Sequence, residues 1–184
     1  MCQICSKCKT QAVPDSLFTT SPFLPAPAEE LLESGQFNSE VEVILGTCKD
    51  EGLSDFSDAW LDPEFFETIR DTWDTAGTAR ILGLMRFSDV TPADVEKARQ
   101  IIDAYVGGVG NFTMSNIQSL IDMMTDSSML YGVHKTIGYL LEEGMTVYQY
   151  VLTHKGQFSI AQLSTMLLDG APHTVTTAIA ISVL

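Results

Sequence analysis

Two short β-forming runs with a long helical stretch between them constrain this chain most. "VEVILG" at 41–46 holds Val41, Val43, Ile44 and Leu45 in a nearly continuous, mostly β-branched block. Such a block predicts a strand buried on both faces, as in a parallel sheet, and Gly46 predicts its stop. "MTVYQYVLTHKG" at 145–156 supplies Val147, Tyr148, Tyr150, Val151 and Leu152, a second strand by the same residue preferences. Everything strongly periodic between them reads as helix. Strand, helices, strand is the order of parallel strands joined by a long crossover, and it predicts the α/β class.

The helical signals are specific. In "PDSLFTTSPFLPAPAEELLESGQFN" four prolines block regular structure until a short helix begins at Pro27, with Glu29 and Glu30 in its first turn and Gly35 as its stop. "LDPEFFETIRDTW" offers Asp62 as cap and Pro63 at the first helical position. "VTPADVEKARQIIDAYVGG" offers a Thr91 cap, a Val90–Val95 staple and a Gly107 stop. Its apolar face runs Val95, Ala98, Ile102, Tyr105. Two further helices are predicted over 114–124 and 126–143, the second ended by Gly144.

A length of 184 residues suits one domain, and 45 % hydrophobic against 18 % charged residues describes a globular chain. Ten Lys and Arg against 24 Asp and Glu give a net charge of −14. That balance repels phosphate backbones and anionic lipid, so neither nucleic acid nor a membrane surface is expected as a partner. The start has no apolar signal core, and the tail Thr174–Leu184 is shorter than the about 20 residues of a spanning helix. The sequence addresses the chain to no compartment.

Cys2, Cys5 and Cys8 are spaced like a metal half-site, but Cys48 is remote and no histidine stands near them. Residues 1–13 are therefore read as an unstructured tail, and no metal is expected. "GGVG" at 107–110 lacks the spacing of a nucleotide-phosphate loop, so no cofactor is expected either. "NFT" at 111–113 is a glycosylation sequon, meaningful on a secreted chain.

Functional groups of a parallel sheet collect where strands end. One such loop carries Lys49, Asp50, Glu51 and Gly52; His173 follows the second strand in "LDGAPH". An acid and a histidine on two such loops are the pair that orients an imidazole as a general base for a nucleophile. The hydrolases built on this plan also carry the acid before the histidine.

"PFLPAPAEELLESGQFN" followed by "VEVILGTCKDEG" resembles the carboxylesterase type B family, which includes cholinesterases and general carboxylesterases. That family shows an "FLP…LL.SG.FN" segment, an apolar strand and "G.NKDEG". "GVHKTIGYLLEEGMTVYQYVLTHKGQF" and "LDGAPH" resemble its later "H……VY.Y.F.H.G" and "GV.H" segments. The resemblance covers about residues 14–173, the C-terminal third of a family member. It implies a partial α/β-hydrolase fold comprising the C-terminal strands and helices, a small carboxylic ester as substrate, Glu51 as the triad acid and His173 as its base. Asp50 is then a neighbour, expected to be a solvated loop charge. His134 and His154 match family positions and are read as structural. Cholinesterases place aromatic residues just after the acid; here stand Leu53, Ser54 and Asp55, with Phe56 beyond, which favours a general carboxylesterase.

Departures from the family pattern shape the functional expectation. No G-x-S-x-G nucleophile turn occurs in the 184 residues, and the glycine-rich oxyanion segment is missing. After His173 the family's acidic and aromatic continuation is replaced by "TVTTAIAISVL". The chain is thus expected to be a fragment, with residues 174–184 outside the family pattern, inert alone for want of the serine. A sheet without its central strands is expected to expose apolar surface. The alternatives are a fragment of a cholinesterase-like adhesion protein of the neuroligin kind, or an unrelated acidic helical interaction module.

Overall fold

The computed structural model describes residues 14–154 except 17, 61, 85 and 86. Its regular elements are α1 (Ala28–Glu33), β1 (Val43–Cys48), α2 (Phe65–Asp71), α3 (Thr78–Ile81), α4 (Pro92–Val106), α5 (Ile117–Thr125), α6 (Tyr131–Glu142) and β2 (Val147–Leu152). Short 3-10 turns lie among them, and two π-helical turns, Trp73–Gly77 and Asp126–Leu130, join α2 to α3 and α5 to α6. The two strands pair in one sheet. Val43 N–H donates to Thr146 O and Lys49 N–H to Leu152 O. Both partners advance by the same step, so the strands are parallel, as the long crossover requires.

The described residues fall into two compact units, 14–43 with 136–147 and 44–135 with 148–154. In the first, the proline-rich entry is organised by one carboxylate. Asp15 accepts from the Phe23 and Leu24 amides at 3.1 and 3.0 Å, and its own N–H donates to Leu24 O. Those backbone donors hold its carboxyl below the usual range. Pro27 caps α1, Gly35 follows it with φ +63°, and Leu140 and Met145 are buried. Tyr139 Oη donates to Glu33 at 2.7 Å.

The second unit carries the larger core, with Ala98, Ile102 and Leu120 fully buried and Phe56, Ile81 and Phe112 beside them. α4 presents Ala98 and Ile102 inward, the face its sequence periodicity predicts. Its start is a capping box in which Thr91 and Asp94 bond each other's backbone amides, and Gly107 ends it at φ +73°. Phe65 stacks edge-on against both Phe56 and Phe66. Arg70 donates to Phe112 O at 2.8 Å, and Arg80 pairs with the buried Asp55.

Several expectations are corrected. β1 does not stop at Gly46 but runs on through Thr47 to Cys48. Glycine stands there because the Tyr150 ring lies over it: a Cβ would come within 1.9 Å of the ring. Nor is β1 buried on both faces among the described residues; Ile44 is 69 % exposed, and Tyr148 and Val151 of β2 are more than half exposed. A two-stranded sheet offers too few neighbours to cover both sides. α2 begins after Glu64 rather than at Pro63, because the Asp62 carboxylate binds the Glu64 amide in a preceding turn.

Candidate active site

β1 delivers the chain at its carboxyl end into Lys49–Asp50 and then a 3-10 turn, Glu51–Asp55. Glu51 opens this turn half-buried, and its Oε1 accepts the Cys48 amide at 2.7 Å. The Cys48 thiol is buried. Its pKa is raised by that burial first, then by the Glu51 charge and a hydrogen bond to Glu51.

The turn is fastened to α5 from both flanks of Glu51. Gly52 N–H donates to Thr125 Oγ1 at 2.9 Å, and that hydroxyl donates to Ile121 O at 2.8 Å. The contact is so close that a Cβ on Gly52 would stand 2.4 Å from the Ile121 carbonyl oxygen and 2.8 Å from Thr125 N. On the other flank Asp50, 6 % exposed, accepts Gln118 Nε2 at 3.1 Å. The expectation of a solvated Asp50 is overturned. Because Gly52 must lie against α5, the residue two positions before it is pressed onto the same helix, and Gln118 replaces its water.

The "KDEG" loop thus yields one carboxylate held by main chain and two neighbours that anchor the loop. His173, the base that the sequence resemblance implies, lies outside the described residues, as do Cys2, Cys5 and Cys8. His134 and His154 are exposed, so neither packs in the core that a structural reading would give it. Leu53 and Phe56 point into the core and not toward a ligand. Among the described residues no group of three or more His, Cys, Asp or Glu side chains could hold a metal ion, and no helix is long and apolar enough to cross a membrane.

No sequence pattern signals the open cleft of about 320 Å³ lined by Lys49, Tyr105, Ser119, Asp122, Thr125, Asp126 and Leu130. Tyr105, expected on the apolar face of α4, directs its hydroxyl to Asp126. That hydrogen bond, with burial and the charges of Asp126 and Asp122, pushes its pKa up to about 12. Only the tertiary meeting of α4 with the end of α5 creates this pair, so no local pattern announces it.

The described residues thus combine a pair of parallel strands joined by a helical crossover with a carboxylate fixed just past one strand's carboxyl end. The sequence profile of the carboxylesterase family matches residues 4–179, nearly the whole chain. The chain belongs to the carboxylesterase family. No curated protein and no solved structure matches it.

Proposed function

We propose that this chain contributes the acid and the base of a carboxylic ester hydrolase of the α/β-hydrolase fold, Glu51 and His173, to a site whose nucleophilic serine lies outside these 184 residues. The observation that carries this reading is Glu51 itself. It stands at the carboxyl end of a parallel strand, fixed by the Cys48 amide, in a loop tied to α5 at Asp50 and Gly52. A triad acid must hold the histidine's tautomer and stabilise the imidazolium without moving, and a carboxylate held by main chain meets that need. His173 would then take a proton from the serine as it attacks the ester carbonyl, and return it to the departing alcohol. Residues 14–173 form the family part in this reading, and the profile match, residues 4–179, runs a little past it at each end. The substrate class is a small carboxylic ester.

Acid and base without a nucleophile cannot build an acyl-enzyme. The chain alone will therefore turn over p-nitrophenyl esters no faster than buffer. A burst of nitrophenol that disappears on His173→Ala would overturn the division of labour proposed here. The second reading, a non-catalytic adhesion member, is disfavoured by the presence of both Glu51 and His173. Sequencing the transcripts that contain this reading frame separates the two. G-x-S-x-G upstream supports the hydrolase, and the same turn without serine supports adhesion.

A further inference from the structure

We propose that Asn111 is an N-glycan acceptor whose modification the folded chain accommodates. The sequon Asn111-Phe112-Thr113 lies in the turn between α4 and α5, and its three residues are displayed very differently. Asn111 is exposed, whereas Phe112 is 3 % exposed and anchored in the core, so the acceptor is held outward by its own neighbour. The backbone leading to the acceptor is rich in glycine. Gly107, Gly108 and Gly110 flank it; a Cβ on Gly110 would meet nothing within 4 Å, while one on Gly107 would press to 3.3 Å from Asn111 Nδ2.

Asn111 already has a structural duty, and glycosylation leaves it intact. Its Nδ2 donates to Val106 O at 2.6 Å, satisfying a carbonyl at the end of α4. A primary amide nitrogen carries two hydrogens, and the Val106 bond uses one. In the transfer, Nδ2 gives up the other hydrogen as a proton and bonds to C1 of the sugar. The C1–O bond to a lipid-linked pyrophosphate donor breaks, and the pyrophosphate leaves with the electron pair. The product is a secondary amide with one N–H, enough to keep the bond to Val106. Thr113, the residue that makes the motif a sequon, is half-buried with its hydroxyl 2.9 Å from that of Ser115, so its replacement leaves the Asn111 cap in place.

The test is to direct the full chain into the endoplasmic reticulum of a eukaryotic cell with a leader, alongside Phe18→Asn. That change creates a second sequon, Asn-Thr-Thr, at a side chain that is 82 % exposed, and reports that translocation occurred. The natural chain is expected to gain one glycan, removable by peptide N-glycosidase. Phe18→Asn should gain two, Thr113→Ala none, and Thr113→Ser should keep partial occupancy. A bare Asn111 in a Phe18→Asn chain modified at residue 18 would overturn the proposal, as would a glycan at Asn111 found only on aggregated chain.

Discussion

At the scale of single residues, Gly52 carries the heaviest constraint in the candidate site. Its Cβ space is filled by the backbone of α5, which cannot give way as a flexible side chain could. Gly52→Ala is therefore expected to cost about 3 kcal/mol, read as a lowered urea midpoint, and to release Glu51 from its position. Gln118→Ala should cost about 2 kcal/mol, because it leaves the Asp50 carboxylate buried without that partner; Gln118→Glu, which faces Asp50 with a second negative charge, should cost more. If both variants melt with the parent chain, the Asp50 anchor is an overstatement. Tyr105 offers a pH test. Its pKa is raised from 10.0 to about 12, so the folded state holds the phenol proton more tightly than the unfolded state does. Its contribution to stability is complete below pH 10 and disappears as pH climbs through 12. Tyr105→Phe should flatten the stability loss in that alkaline window, and a tyrosinate absorbance titration of the folded chain should lose a phenol that titrates near 12.

At the scale of elements, α4 was fully legible in the sequence and β1 only partly so. Thr91, Pro92 and Gly107 are local signals that act through bonds within a few residues, and the helix begins and ends where they say. Thr91→Ala should cost about 1 kcal/mol by opening the capping box, which denaturant melts of the variant will measure. β1 misleads because a run such as Val43–Ile44–Leu45 reports how much cover a strand could use, not how much it receives. Gly46 misleads for a related reason. Its glycine answers a tyrosine on the other strand, a partner about a hundred residues away that no window contains. The pairing of the "KDEG" loop with α5 was equally hidden: Gln118 and Thr125 are unremarkable helix residues until the chain has folded. What the sequence did show of the site was Glu51, through the resemblance of its loop to a family motif.

At the scale of the whole molecule, the strongly acidic chain leaves an apolar sheet surface bare among the described residues. Ile44 and Tyr148, which share one face of the two adjoining strands, are 69 % and 53 % exposed on a sheet type that is ordinarily covered. The chain should self-associate despite its charge of −14, and Ile44→Lys with Tyr148→Lys should shift its sedimentation toward monomer. A natural chain that sediments as monomer at all concentrations would contradict this.

Everything proposed about catalysis depends on an imidazole meeting a carboxylate across the fold, and proton NMR titration of the three histidines reads that meeting directly. The account predicts that His173 titrates above the ordinary value of about 6.5, and drops back toward it in Glu51→Gln. Identical titration of His173 with and without the Glu51 charge would contradict it.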